Sequence, residues 1–416
     1  MSKTVHRFRR RFQWRIKRWR FGMRMRGPWY LKLQLKVIHL CRRSLVFFLR
    51  FAFRKYRLER PIALESISSV LIVPHHPIGD VLLCEPMWRI LKARNPNIII
   101  GVAASTSSIE IVARDPNVDK TYLFWGTNIL RRIQAVQATR QAKWDVVLTT
   151  GGFFKPVRFA LLTRYIAKRG ITASMHESRE ERYHDIYSFC FKRPCFPYPQ
   201  PIAEQFESLI EQTFDIHYNG NERVPRFKPS TEDMLEIHAR LDTLRHQTGK
   251  NRTVQIHLEA KWRGMEWGIG NSLQLATEIV NAYPNTNILL TASPAFAKEY
   301  AEELRGAPEI AQYFPLHSVG TLAALESVVD LVIAPDTSAV HLAAVARTPV
   351  IGLYERLNEW LPYQTPCAVF TANPIDTHSK LPVSTIPIGP VLQASLSFLA
   401  HEDVSGSVTP KIHSIE

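Results

Sequence analysis

Three short stretches of the chain combine residue types that can do chemistry with neighbours that would hold them in place. The first is His75-His76-Pro77-Ile78-Gly79-Asp80, directly after the apolar run Val70–Val73. Gly79 permits a tight turn and close backbone approach, and Asp80 then stands at the start of a helix. A carboxylate there can take a proton from a hydroxyl, or it can simply cap the helix. His75 and His76 read as turn residues rather than as ligands or bases. The second is Asp336-Thr337-Ser338-Ala339-Val340-His341, which follows the buried run Leu331–Ala334 and Pro335. A helix N-terminus with free N–H groups and two hydroxyls is a seat for a diphosphate. Asp336 could bond sugar hydroxyls, and His341, one turn in, could face the same place. The alternative is that Asp336 is an N-cap and His341 a core histidine. The third is His257 to Trp267, with Lys261 and Arg263 in a Gly-containing loop. Cations in such a loop suit a phosphate; otherwise it is a solvated loop with Trp267 packed on the body.

All three stretches follow strands, so the elements around them matter. Val70–Val73, Ile98–Ala103 and Val146–Leu148 read as strands, and Gly79–Arg94 as a helix. After Pro-rich breaks at 194–201 and 225–229 the alternation restarts. Strands are expected at Thr253–Leu258, Asn287–Thr291, Leu331–Ala334 and Val350–Tyr354. Helices are expected at Ser272–Tyr283, Ala295–Gly306, Thr321–Ser327 and Ser338–Arg347. Continuous apolar strands alternating with helices imply parallel sheets covered on both faces. The chain is therefore expected to hold two doubly wound, Rossmann-like α/β domains, over 65–225 and 226–416. Their cleft should lie at the carboxyl ends of the strands.

The remaining 64 residues are different. Twenty of the 53 Lys/Arg residues, but only one acid, Glu59, fall within residues 1–60 of the 416-residue chain. The formal charge of +16 thus belongs to an N-terminal arm, and the body is close to neutral. From Trp29 to Arg60 the arm has no Pro or Gly. Leu31, Leu35, Ile38, Leu45, Leu49, Ala52 and Tyr56 follow helical spacing, so a basic amphipathic helix is expected there. Such an arm suits a polyanion. An anionic membrane surface is favoured by the apolar stripe. A nucleic-acid-binding protein acting through Arg-rich residues 1–26 is the reading of another class. Five scattered cysteines imply neither a disulfide framework nor a zinc site and suit a reducing cytosol. No signal peptide or full membrane span is read at the N-terminus.

The two aspartate motifs together resemble glycosyltransferase family 9, the ADP-heptose:lipopolysaccharide heptosyltransferases. Ile78-Gly79-Asp80-Val81-Leu82-Leu83 with Pro86 matches its first signature, and Asp336-Thr337-Ser338-Ala339-Val340-His341-Leu342-Ala343-Ala344 with Pro349 its second. The resemblance covers roughly residues 66–400 and implies a GT-B fold. It implies an inverting, metal-independent enzyme without cofactor, with Asp80 as the catalytic base. It places the donor diphosphate at the helix of Asp336, Thr337, Ser338 and His341. The nucleotide-sugar donor would be ADP-heptose, or else another nucleotide-hexose. The acceptor would be a lipopolysaccharide or lipooligosaccharide core at the cytoplasmic face of an inner membrane, and no nucleic acid is expected as partner. Some positions depart from the family. Ser338 stands for the usual Gly, Glu355 for another Gly, and Ser293-Pro294-Ala295-Phe296 for an acidic residue. Met265-Glu266-Trp267 aligns with the family's Lys-x-Trp, so Lys261 or Arg263 would supply the phosphate-binding cation.

Overall fold

The computed structural model describes residues 61–75, 78–150, 156–176, 186–192, 201–306, 310–373, 380–400 and 411–414, with scattered positions between 44 and 58. The expected arm helix, Trp29–Arg60, lies almost wholly outside these residues.

The first sheet begins with β1 (Ser69–Val73), whose Val70–Val73 are buried. Helices α1 (Ile78–Leu83) and α2 (Glu85–Arg94) follow. The sequence suggests one continuous helix here. The break at Cys84 has a plain cause: Pro86, in the first turn of α2, has no N–H to continue the ladder. Then come β2 (Ile99–Ser105), α3 (Ile109–Ala113), β3 (Lys120–Trp125), α4 (Ile129–Gln141), β4 (Val146–Thr149), α5 (Pro156–Ala167), β5 (Ile171–His176) and β6 (Phe189–Lys192). Asn128 caps α4 by accepting from the N–H groups of Leu130 and Arg131. The sheet is parallel throughout, in the order β3-β2-β1-β4-β5-β6. Helix α6 (Ile202–Phe214) packs back on it.

Helix α7 (Thr231–Thr248) leads into the second sheet. It opens on a reciprocal Ser230–Asp233 capping box and ends at Gly249, whose φ of +68° is left-handed. β7 (Arg252–His257), α8 (Ile269–Ala282), β8 (Thr286–Thr291), α9 (Ala297–Glu303), β9 (Gln312–Tyr313), α10 (Val319–Glu326) and β10 (Leu331–Pro335) come next. The last elements are α11 (Ser338–Ala346), β11 (Val350–Arg356), β12 (Cys367–Asn373), α12 (Ile388–Ala400) and β13 (Lys411–Ser414). The strand order is β13-β12-β11-β10-β7-β8-β9, again parallel.

Each sheet reverses its winding once, at β1/β4 in the first and β10/β7 in the second. In open α/β sheets ligands bind at such switch points, beyond the carboxyl ends of the strands. Asp80 follows β1, Asp336 follows β10, and Lys261 and Arg263 follow β7. The topology thus delivers all three chemical stretches to the two switch points.

The two halves meet in a continuous apolar cluster in which Val81 and Leu82 of α1 join Ala339, Val340 and Leu342 of α11. Gly79 makes this approach: a Cβ there would lie 2.4 Å from Cδ2 of His341. A second contact is ionic. Arg114 pairs with Glu110 at 2.9 Å and with Asp233 at 2.6 Å, tying the end of α3 to the start of α7. Gly320 lets α10 lie against that cluster, since a Cβ there would be 2.3 Å from Asp233 Oδ2. A third contact is the segment after β11. The Glu359 carbonyl accepts from the Ile202 N–H at 2.8 Å, and the Tyr363 hydroxyl donates to Glu207 Oε1 at 3.0 Å.

Candidate active site

Asp80 is the third residue of α1, not its cap, and is only 2% exposed. Both its carboxylate oxygens are engaged. His75 Nδ1 lies 2.9 Å from Oδ2, and the Trp360 indole N–H donates to Oδ1. His75 is held in turn through its backbone N–H, which donates to Thr150 Oγ1 at 3.1 Å. The turn role read for His75 from the sequence is therefore incomplete: its ring is an immediate partner of Asp80. A five-residue spacing in the sequence gives no sign of that pairing.

Asp336 does not cap α11 either. Thr337 is the N-cap, and its hydroxyl accepts from the Ala339 N–H at 3.3 Å. The carboxylate of Asp336 is left to accept from Asn358 Nδ2 at 3.0 Å. Burial pushes its pKa up to about 6, opposed by the Asn358 bond and the Lys261 cation and reinforced by the charge of Asp80. The two aspartates, from opposite sheets, are thus close enough to feel each other. Ser338 opens the helix beside them, half-buried.

His341 was expected to face the diphosphate seat. It is instead buried, 3% exposed, with its ring against Gly79 of the opposite half. The tight packing at Gly79 turns the ring into the inter-sheet contact. Burial lowers its pKa to about 4, so the ring is neutral, and Nδ1 has no hydrogen-bond partner among the described residues.

Lys261 and Arg263 part company. Arg263 is bound to Glu299, to Glu303 at 2.8 Å and to Glu266 at 3.4 Å, so its charge is spent on three carboxylates. Lys261 is exposed, makes no ion pair among the described residues, and its charge is felt by Asp336. Of the two, Lys261 is the cation available to a ligand. Trp267 is buried and donates its indole N–H to the Ile386 carbonyl at 2.9 Å, which anchors this loop to the second sheet.

Two residues of the site went unnoticed in the sequence. Asn358 bonds Asp336 and Trp360 bonds Asp80, while the Trp360 N–H donates to Asn358 Oδ1 at 2.8 Å and its carbonyl accepts from the Tyr354 hydroxyl at 2.7 Å. One short segment after β11 therefore links the carboxylates of both switch points. Its only advance signal is a Trp and an Asn beyond the carboxyl end of a strand, which is weak until β11 is known to neighbour β10.

Comparisons with known proteins agree with this geometry. The profile of "Glycosyltransferase family 9 (heptosyltransferase)" matches residues 132–372, more than half of the chain. Lipopolysaccharide heptosyltransferase 1 of Campylobacter coli is 19% identical over 296 residues, covering 69% of this chain and 83% of the relative. The crystal structure of a family 9 glycosyl transferase from Veillonella parvula superposes with a TM-score of 0.64 at 15% identity, covering 82% of this chain and 99% of that one. The E. coli heptosyltransferase WaaC with ADP-2-deoxy-2-fluoro heptose superposes with a TM-score of 0.55 at 17% identity, over 79% of this chain and 99% of that one. Two parallel sheets facing each other at their switch points are the GT-B arrangement, and the chain belongs to glycosyltransferase family 9.

Proposed function

We propose that this glycosyltransferase is inverting and metal-independent, and that it moves heptose from ADP-heptose onto a lipopolysaccharide or lipooligosaccharide core. The observation that carries the mechanism is the pairing of Asp80, at one switch point, with Asp336, α11 and Lys261 at the other. Asp80 takes the proton of an acceptor hydroxyl as its oxygen attacks the anomeric carbon. The nucleoside diphosphate departs on the opposite side. The exposed N–H groups at the start of α11, the Thr337 and Ser338 hydroxyls and the Lys261 ammonium receive its growing charge. Asp336 accepts from sugar hydroxyls. In this arrangement the protein's own dipoles and cation do the work a metal does in other transferases.

The Trp360 indole donates to the oxygen of Asp80 that an acceptor hydroxyl would use. It holds the place of the acceptor and gives it up when sugar binds. His75 keeps the other oxygen oriented.

The fluoro-heptose analogue in the E. coli neighbour supports this donor, and the Campylobacter relative supports this acceptor. The 20 Lys/Arg residues of the arm, with a lipid-linked acceptor, support an enzyme that works on an anionic membrane surface at the cytoplasmic face. No helix among the described residues is long and apolar enough to cross a membrane. Phe47, Phe48 and Phe51, in the last part of the arm, are exposed and suit an interfacial position.

The test is a screen of nucleotide sugars with purified protein, with and without a strong chelator, and with NMR of the product anomer. ADP-heptose should be consumed, the anomeric configuration should invert, and chelator should leave the rate unchanged. Turnover of another nucleotide-hexose alone would replace the donor. Loss of activity in chelator, restored by a divalent ion, would reject the metal-free mechanism.

A further inference from the structure

The outer layer of the first sheet carries a surface the mechanism does not use. Helix α4 begins at the carboxyl edge of the sheet, straight after β3. Its first turns show Ile129, Leu130 and Ile133 to solvent at 58%, 66% and 48% exposure. A soluble helix normally turns such residues inward. Beside them, a groove of about 280 Å³ opens between α4 and α5, with Phe124, Val136 and Leu162 among its walls.

The charge around this patch is one-sided. Between Lys120 and His176 the chain has nine Lys/Arg residues besides the buried Arg164, and one acid, Asp145. Asp145 does not offset them on the surface, because its Oδ2 accepts from the N–H and hydroxyl groups of Ser68 and Ser69. Arg131, Lys143, Lys168 and Arg169 are exposed and make no ion pair among the described residues. The surface of α4 itself carries no carboxylate at all.

The patch also sits close to the chemistry. The Phe159 ring centroid lies 6.3 Å from Trp125, at the end of β3, and 6.5 Å from His75, the partner of Asp80. On the other side of α5, Phe53 of the arm packs by Ala160, under the Arg164 guanidinium at 5.7 Å. The arm is thereby fastened to the same layer.

We propose that α4 docks this layer onto an anionic lipid bilayer. Ile129, Leu130 and Ile133 enter the acyl boundary, and the surrounding Lys/Arg residues meet the phosphates. The inference extends the membrane reading above from the arm to a named face of the folded body. It orients the molecule so that the rim bearing Asp80 faces the membrane on which a lipid-linked acceptor would stand. Large exposed apolar residues ringed by one sign of charge mark such surfaces.

The test is a lipid titration by vesicle co-sedimentation, with the full chain and no donor or acceptor. Vesicles are phosphatidylcholine with phosphatidylglycerol, or phosphatidylcholine alone. Because no sugar is present, failure here would leave the glycosyl-transfer reading standing. The triple variant Ile129→Gln, Leu130→Gln, Ile133→Gln changes only exposed side chains, and circular dichroism checks its fold. It should need about tenfold more anionic lipid for half-binding. Leu235→Gln, equally exposed on α7, should bind as wild type. High salt should weaken the wild type, and neutral vesicles should bind it poorly. Half-binding of the triple variant at the wild-type lipid concentration would assign all binding to the arm and overturn the proposal. An equal loss in Leu235→Gln would do the same.

Discussion

Asp80 and Asp336 look alike in the sequence: each follows a buried strand, and each stands where a helix begins. In the structure neither is a cap, and their surroundings differ. Asp80 is enclosed, with a donor on each oxygen and almost no exposure. Asp336 has one neutral donor, an exposed cation within electrostatic reach and a carboxyl group pushed up to about 6. An enclosed carboxylate with its partners already in place suits proton transfer, whose geometry must be tight. A carboxylate at the mouth of a helix N-terminus, beside a cation, suits holding a polar ligand that comes and goes. The difference separates a reacting end of the cleft from a binding end.

Among effects on ligand affinity, the largest that could break this comparison is at the binding end. Lys261→Ala should weaken nucleotide diphosphate affinity by about 10- to 100-fold, the range of one charge-assisted hydrogen bond of about 1.5–3 kcal/mol. Arg263→Gln should leave affinity near wild type, because its charge already serves Glu266, Glu299 and Glu303. Calorimetry with ADP reads both, and the reverse ranking would move the phosphate seat to Arg263. Next in size is a pH effect. As pH falls through about 6, Asp336 gains a proton and can no longer accept from two sugar hydroxyls. Donor affinity should therefore fall about tenfold between pH 7 and pH 5. Asp336→Asn should be weak at both values and lose that limb, and a wild-type limb in the variant would point to another group.

The contact between the two ends can be broken separately. A methyl group at Gly79 would overlap His341. Gly79→Ala should cost about 1–3 kcal/mol of stability by overpacking, measured by urea unfolding. The pair Gly79→Ala with His341→Ala should recover part of it, and two additive losses would show that the contact is not the cause. Smallest is Trp360→Phe. It removes the indole N–H that competes with acceptor for Asp80, so acceptor KM should fall a few-fold with donor affinity unchanged. A rise in KM would instead make Trp360 part of the acceptor seat.

How much of this was legible beforehand depends on where the information lies along the chain. Strands β1, β10 and β11 carry short runs of continuous apolar residues and β8 the run Ile288–Leu290, while β7 sets Val254 and Ile256 among buried polar residues; burial on both faces leaves little else for them to be. The small-residue helix after Asp336 is equally plain. The strand β3, Lys120–Trp125, is at an edge, and only Phe124 of it is fully buried, so it shows no clean pattern. The two strands β12 and β13 and helix α12 follow the last recognised motif and carry no motif of their own. At the site, Asp80, Asp336 and Lys261 could be named because each closes a strand–loop–helix turn. Asn358 and Trp360 could not, since their meaning comes from β11 lying beside β10. His341 shows the opposite case. Its spacing from Asp336 suggests a ligand, and only the approach of Gly79 from the other half shows that the ring fills the contact.

The most direct measurement of the account is single-turnover transfer by Asp80→Asn preloaded with saturating donor, alongside calorimetry of the donor on the same preparation. The substitution keeps the size of the side chain and removes the proton acceptor. Donor affinity should be unchanged and the transfer rate lower by about 10²–10⁴, the usual contribution of a general base. Transfer at the wild-type rate, or a loss explained wholly by weaker donor binding, would contradict the division of the cleft into a reacting end and a binding end.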